Sequence, residues 1–135
     1  MLNQTGVKTT HGTTRKTILV DELNSTALSC MVANTGVTAD STGKKIVKAG
    51  TPLAGSLLAR GTAFTVAEDT AGSDGALATS NAVGILLHDV DVTAGTANAQ
   101  VLIFGFVDVS KLDGDVVTKL TDAAKSNMKM IQFVK

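Results

Sequence analysis

The residues of this chain that could do chemistry are few, and His88, Asp89 and Asp91 are the most suggestive group. Successive residues of a strand point to opposite faces, so the two aspartates would share one face while His88 points to the other. A zinc site needs a fourth ligand, and none is near in the sequence. The spacing therefore predicts a charged strand end that discourages edge pairing, not a metal site.

Motifs for catalysis are missing from the sequence. It contains no HExxH or CxxC motif, no nucleophile elbow and no phosphate loop. The single cysteine, Cys30, lies in the apolar run from Ala27 to Ala33, which is typical of a small buried hydrophobe. The Gly-rich segment from Glu68 to Ser80 lacks the aspartate spacing of a calcium loop and is predicted to be a solvated polar loop. We predict no catalytic residue, no metal, no cofactor and no small-molecule substrate, and we expect that the protein is not an enzyme.

Composition and charge narrow the class of protein further. A length of 135 residues predicts one domain. The chain has four Phe and no Trp or Tyr, so its core must consist mainly of aliphatic side chains. Residues 61–110 carry six acidic and no basic side chains, which disfavours nucleic acid as a partner. No apolar run has the ~20 residues that cross a membrane, and no apolar stretch follows the polar start as in a signal peptide. We expect a protein that is made in the cytoplasm and has no membrane partner.

The first residues differ from the rest of the chain. Met1 to Thr17 holds six Thr and almost no large apolar side chain, so it cannot pack a core. It is either a frayed terminus or an extended arm that orders on a partner by strand addition. The predicted organisation is an arm over 1–17 and a single β-rich domain over 18–135.

Short β-prone runs separated by turn residues fill most of the domain. They lie at Lys16 to Val20, Thr26 to Ala33, Lys44 to Lys48, Ala63 to Ala67 and Met128 to Val134. A stripe spaced by three and four follows at Val109, Leu112, Val116, Leu120 and Ala123, and it predicts a helix with Asp115 as N-cap. The predicted fold is mainly β with one short C-terminal helix, as a small sandwich or barrel-like domain.

The segment from Asn81 to Leu112 is the most apolar part of the chain. Its spacing predicts a hairpin in which Val83 to Val92 pairs with Ala97 to Val109 across a turn at Gly95, with Gly84 and Gly105 marking bulges or close approaches. A strand covered on one face would alternate, whereas these runs are nearly continuous, so both faces must be covered. We expect the rest of the core on one face and a second copy or a larger partner on the other. The residues predicted to build this core or oligomer contact are Val83, Ile85, Leu87, Val101, Ile103, Phe104 and Phe106.

The order of these elements carries a resemblance to a known family. Four segments follow one another along the chain: Gly50-Thr51-Pro52-Leu53, AVGIL at 82–86, a strand ending in Phe106-Val107, and a short helix near Leu112. This order resembles that of the head decoration proteins of tailed phages, the family of the phage lambda protein. The stretches LLHDVDVT and VLIFGFVDVSKL are more similar to decoration proteins and head-fibre bases of phages of Gram-positive hosts. The resemblance covers roughly residues 50–134.

This resemblance implies a homotrimer on the outer surface of the virion capsid, at three-fold and quasi-three-fold positions of the expanded head. There it would clamp neighbouring copies of the major capsid protein against the pressure of packaged DNA. The family's arm is flexible when free and ordered on the capsid. The arm residues that would contact the capsid are Val7, Lys8, Thr9, Thr10, Thr13, Thr14 and Arg15.

Two alternatives stay open at the level of sequence. The chain could be the base of a head fibre or another neck or tail subunit, which would share the fold without the clamping role. It could also be a small β-rich ligand-binding module with a concave site that the sequence does not reveal.

Overall fold

The computed structural model describes residues 17–135, and this part of the chain is mainly β, as predicted. The strands are β1 (Thr26–Val32), β2 (Ile46–Val47), β3 (Pro52–Ala54), β4 (Thr65–Val66), β5 (Asp69–Thr70), β6 (Thr79–Ser80), β7 (Ala82–Leu86), β8 (Val90–Asp91), β9 (Ala97–Asp108) and β10 (Ile131–Val134). A 3-10 turn (Val109–Lys111) and the helices α1 (Gly114–Lys119) and α2 (Asp122–Asn127) lie between β9 and β10. No helix among residues 17–135 is long and apolar enough to cross a membrane.

The long strand β9 organises the main sheet. The strand order is β1-β9-β7-β3-β4, and β10 pairs with β9 in parallel. The first part of β9 pairs with β1, Val101 and Leu102 pair with β7, and the segment from Gly105 to Asp108 pairs with β10. Two further pairs, β2 with β8 and β5 with β6, form separate small sheets. The sheets are open, so the architecture is not a closed barrel.

Neighbouring residues of β7 and β9 are buried in two different cores. The first core contains Ile18, Leu19, Ala49, Ala82, Ile85, Leu102, Val107, Leu112, Val116, Leu120, Ala124, Met128 and Ile131. The second contains Cys30, Val32, Val47, Leu53, Phe64, Leu86, Val92 and Val101. Side chains of successive strand residues point to opposite faces, so one sheet serves both cores. Most residues of the near-continuous apolar runs are therefore covered within one chain, whereas Phe104 and Phe106 remain exposed. A second copy or a larger partner over those two residues stays a prediction.

The predicted hairpin is shorter than expected. In the observed register Ile85 lies opposite Leu102 and Leu86 opposite Val101, and the last bond is from Leu87 N to Gln100 O at 3.1 Å. The chain then leaves β9, and β8 pairs with β2 instead. Contacts with the segment before β3 hold β8 there: Asp89 Oδ1 accepts from Ala49 N at 2.7 Å, and Val92 N donates to Lys45 O at 2.8 Å.

Both strand glycines mark special positions, as predicted. A Cβ atom on Gly84 would lie 2.5 Å from the Leu102 carbonyl oxygen, so β7 approaches β9 too closely there for any other residue. Gly105 has a φ of 149°, and the register between β1 and β9 is irregular just before it, where Thr26 faces Phe104 and Ala27 faces Leu102. The irregularity changes the phase of the strand, which decides which side chains of its second half are exposed.

The predicted single helix is two short helices. Asp113, not Asp115, occupies the N-cap position of α1, and α2 begins after Thr121, whose Oγ1 accepts from Ala124 N at 3.1 Å. The break between them shifts the helical phase by one residue. Ala124 is therefore buried in the first core in place of the predicted Ala123.

Candidate interaction surface

Exposed apolar side chains surround the second half of β9. They are Val20 (56% exposed), Phe104 (38%), Phe106 (41%), Met130 (62%) and Val134 (40%), and we call them the β9 face. A single exposed apolar residue is ordinary, whereas a contiguous group is typical of an interaction site. The β9 face is therefore the candidate functional surface of the described chain.

Hydrogen bonds place the β9 face on three adjacent segments. Val20 N donates to Phe106 O at 3.0 Å on one edge of β9, and Gly105 N donates to Met130 O at 3.2 Å on the other. In β10, Val134 lies opposite Asp108 in the parallel register. Because side chains of paired residues in neighbouring strands lie on the same side of a sheet, Val20 lies beside Phe106, and polar residues lie among the apolar ones: Gln132 is opposite Phe106 and Asp108 is opposite Val134. The face is fixed by backbone bonds on both edges of the longest strand.

Two of the four phenylalanines of the chain lie on this face. Phe64 is fully buried in the second core, and Phe133 packs against the first core. Aromatic side chains are enriched where proteins bind proteins, because they bury a large area at a low entropic cost. Exposing Phe104 and Phe106 in a chain with no Trp or Tyr is thus a strong sign of a binding surface.

The predicted hairpin residues separate into core and surface. Ile85 and Val101 are fully buried, and Val83, Leu87 and Ile103 are partly buried against the two cores. Of the predicted set only Phe104 and Phe106 belong to the β9 face. The capsid-contacting residues predicted in the arm, Val7, Lys8, Thr9, Thr10, Thr13, Thr14 and Arg15, lie outside the described residues.

Sequence reasoning missed Val20, Met130 and Val134 as members of the face. A signal for Val134 was present: Ile131 is buried and Gln132 is exposed, so the period of two along β10 turns Val134 outward. Val20 gave no such signal, because Ile18 and Leu19 before it are both buried and the pattern does not alternate.

Hydrogen bonds fix the two chain segments that flank the face. The Asp108 carboxylate accepts from Ser110 Oγ at 2.5 Å and from Ser110 N at 3.0 Å, and these bonds hold the pKa of Asp108 below its usual value. Asp21 accepts from Asn24 Nδ2 at 2.6 Å and from Leu23 N at 3.0 Å, which lowers its pKa in the same way. Both carboxylates thus remain charged at neutral pH beside the apolar residues.

The suspected metal ligands have structural partners instead. Asp91 accepts from Thr93 Oγ1 at 2.5 Å and from Thr93 N at 2.9 Å, which lowers the pKa of Asp91. Asp89 binds the backbone of Ala49, as described above. Within residues 17–135 the structure brings no three His, Cys, Asp or Glu side chains together as a possible metal site.

Two other side chains that could bind or react, those of Lys48 and Cys30, are also held by their surroundings. Lys48 Nζ lies 3.2 Å from Asp115 Oδ2 and 3.4 Å from Asp113 Oδ2 in a shallow groove beside α1, and the Asp115 carboxylate raises the pKa of Lys48. Burial raises the pKa of the Cys30 thiol, which disfavours the reactive thiolate. Lys48 is paired with carboxylates and Cys30 favours its unreactive thiol form, so neither residue is as good a candidate for a functional site as the β9 face.

No protein-family model matches the chain, and no curated protein is significantly similar to it. The function is therefore argued from the β9 face and from the sequence pattern.

Proposed function

We propose that the protein is a capsid decoration protein of a tailed phage. It binds the outer surface of the expanded head at three-fold and quasi-three-fold positions and stabilises the shell against the packaged DNA. Its partners are the major capsid protein and further copies of itself in a homotrimer. The observation that carries the proposal is the β9 face, with its two exposed phenylalanines, on a small β-rich domain.

The order of the described elements supports this proposal. β3 begins at Pro52, β7 spans Ala82–Leu86, and β9 runs through Phe106 into a 3-10 turn that ends just before Leu112. This is the element order on which the resemblance to the head decoration proteins depends. The sequence segments that carry the resemblance thus coincide with strands of the fold, and this agreement supports the proposal.

Binding of such a domain would stabilise the shell by mass action. A protein that binds the expanded shell but not its precursor favours the expanded form, by about 2.7 kcal/mol per site when its free concentration is 100 times the dissociation constant. Three copies that bind one symmetric site together also gain avidity, which can multiply the affinity by roughly 10² or more. In this proposal the arm over 1–17 reaches the neighbouring capsid subunits while the folded domain holds the trimer together.

The cementing role is tested on heads that lack the protein. DNA-filled heads without decoration are heated with and without the purified protein, and DNA release is followed with an intercalating dye. The release temperature is expected to rise until the sites are saturated. An unchanged release temperature at saturating occupancy would contradict cementing and leave only a passive surface protein.

A further inference from the structure

We propose that the outer edge of β1 and the groove beside it bind an extended segment of a different protein, which carries an Asp or Glu next to a large apolar side chain. The segment adds a strand to β1, and its carboxylate binds the Arg60 guanidinium. We call this surface the β1 groove, and its lining includes Ser29, Met31, Leu57, Leu58, Arg60 and Asn98. The β1 groove shares no residue with the β9 face, so the inference goes beyond the proposed function.

β1 is an edge strand of the main sheet, and part of its outer edge has no backbone partner. Its inner edge pairs with β9. On the outer edge, Met31 O accepts from Phe64 N at 2.7 Å, and Ala33 N donates to Phe64 O at 2.8 Å. Alternate residues of an antiparallel strand face the same edge, so Ala27 and Ser29 face outward like Met31. In the part of the chain that the structure describes, no backbone group bonds the outward groups of Ala27 or the N–H of Ser29. An edge of this kind is a template for an added strand.

Arg60 is a half-buried cation beside this free edge. It is the only Lys or Arg between Lys48 and Lys111. Its Nη1 donates to Ser29 O at 2.8 Å and lies 3.4 Å from Ser29 Oγ. Among residues 17–135 no carboxylate pairs with Arg60, and no acceptor bonds its Nε or Nη2. A guanidinium binds a carboxylate through two parallel N–H donors, so Arg60 retains the donors that an Asp or Glu of a partner needs.

Two leucines lie next to Arg60 in the loop between β3 and β4. Leu57 is partly buried against the second core, whereas Leu58 is 100% exposed. The loop is held by the bond from Ala59 N to Ser56 O at 3.1 Å and by the bond from Arg60 to β1. The leucines therefore provide an apolar contact beside the cation. Strand addition of this type takes its affinity from backbone bonds and its specificity from such side-chain contacts.

Charge decides between the possible occupants of the β1 groove. Residues 1–16 contain no Asp or Glu, so this segment of the same copy or of another copy cannot supply the carboxylate. Nucleic acid and anionic lipid surfaces bind through several cations, and Arg60 is the only Lys or Arg that lines the groove. An extended segment with one carboxylate and an apolar neighbour matches the single cation, the leucines and the free edge together.

The occupant is tested first with a displayed library of random peptides, selected on the immobilised full chain. The enriched peptides are expected to share an Asp or Glu beside a Leu, Ile, Val or Phe. One of them is then synthesised with a fluorescent label, and its affinity is measured by fluorescence polarisation. Changing its acid to the corresponding amide is expected to weaken binding by about tenfold or more, because a charge-assisted hydrogen bond is lost. A labelled peptide with the sequence of residues 1–16 is expected not to bind.

Substitutions in the groove test the same contacts from the side of the protein. Arg60→Gln removes the charge and keeps a hydrogen-bond donor, and it is expected to weaken binding by about tenfold or more and to reduce its salt dependence. Leu58→Asp places a like charge beside the bound carboxylate and is expected to weaken binding by about three- to tenfold. The matched control is Leu77→Asp, at an 88% exposed leucine in the loop between β5 and β6, and it is expected to bind like the natural chain. Circular dichroism verifies the fold of each variant.

Strand addition is tested with versions of the selected peptide that carry one N-methyl group each. Alternate amides of an added strand face β1, and a methyl group on such an amide removes a donor and prevents close approach. Binding is therefore expected to fall by about tenfold or more at every second residue and to change little at the residues between. An equal effect at all positions would overturn the addition of a strand.

Four other results would overturn the inference. The selection could enrich no peptide, or the enriched peptides could lack an acid. Arg60→Gln could bind as tightly as the natural chain, which would leave Arg60 as a side chain that only blunts the edge of β1. The peptide of residues 1–16 could bind, which would make that segment the occupant. None of these results concerns co-sedimentation with capsids, so failure of this inference and failure of the proposed function are distinguishable.

Discussion

At the scale of single residues, three aspartates each bind the serine or threonine two positions later, and we call this arrangement a clasp. The carboxylates of Asp40, Asp91 and Asp108 each accept a backbone N–H and a hydroxyl from the residue two positions later. Such turns satisfy backbone donors at the ends of strands and compete with continuation of the strand. The clasp at Asp108 ends β9 at the β9 face, and the clasp at Asp91 ends β8.

These clasps predict a dependence of stability on acid. The pKa of each of the three aspartates is lowered in the folded protein, first of all by the side-chain hydroxyl that donates to it. A lowered pKa stabilises the fold above the unfolded value of about 4, and this contribution is lost as the pH falls through the folded pKa. The free energy of unfolding, measured in urea, is expected to change little between about pH 7 and 5 and to fall below about pH 4. Asp91→Asn should make that fall shallower, and an identical pH profile for the variant would refute the assignment.

Close approach at Gly84 gives a second prediction at this scale. An added Cβ would lie 2.5 Å from Leu102 O and 2.7 Å from Val101 Cγ2, so Gly84→Ala must push β7 away from β9. We expect a loss of about 1–3 kcal/mol in the free energy of unfolding, as for other overpacked cores. Gly61→Ala is the matched control because no atom lies within 4 Å of its added Cβ. Equal stability of the two variants would argue against the observed β7 and β9 pairing.

At the scale of elements, long apolar strands were predictable and short pairings were not. β1, β7, β9 and β10 carry enough apolar residues for their own sequences to indicate strands. β5 and β6 do not: Asp69–Thr70 and Thr79–Ser80 are polar, and their segment was predicted to be a loop. The available signal was Asp74-Gly75, whose positive φ values and Ala76 N to Ser73 O bond form a tight turn of the kind that joins hairpin strands.

The candidate surface was predictable only in part, for a related reason. Phe104 and Phe106 were expected in the oligomer or core hairpin, but their exposure depends on the irregular register before Gly105. The departure of β8 to β2 likewise depends on contacts between residues more than 40 positions apart, such as that of Asp89 with Ala49. A local pattern holds no information on such distant partners.

The break between α1 and α2 predicts a specific loss of stability. Thr121 Oγ1 accepts from Ala124 N at 3.1 Å and so caps α2, which places Ala124 and Met128 in the first core. Thr121→Ala is expected to lower the free energy of unfolding by about 0.5–2 kcal/mol, measured by urea denaturation. The control is Thr118→Ala. It removes an exposed hydroxyl whose hydrogen bond goes to Gly114 O within the same helix, so we expect little change in the free energy of unfolding. Equal losses in the two variants would contradict the capping role.

At the scale of the whole molecule, one open sheet separates two cores of a single chain. Apolar residues of β7 and β9 contribute to both cores. What remains for a partner is the β9 face, at the end of the sheet where the chain enters at Ile18 and leaves at Val134. The buried residues of the two cores and the exposed residues of the β9 face are thus different parts of the molecule.

Separation of folding from assembly predicts the effect of removing the first residues. The variant that lacks residues 1–16 retains every core residue that the structure describes, so its thermal unfolding is expected to match that of the full chain. If those residues form the proposed capsid arm, the same variant should lose capsid binding while it still self-associates. Full capsid binding by the shortened chain would refute the arm.

The most direct test of the decoration role is co-sedimentation of the full chain with undecorated cognate capsids, before and after expansion. We predict that the protein pellets with expanded shells in a fixed ratio to the major capsid protein and stays in solution with the precursor shells. Absence from the pellet with both forms would contradict the decoration role.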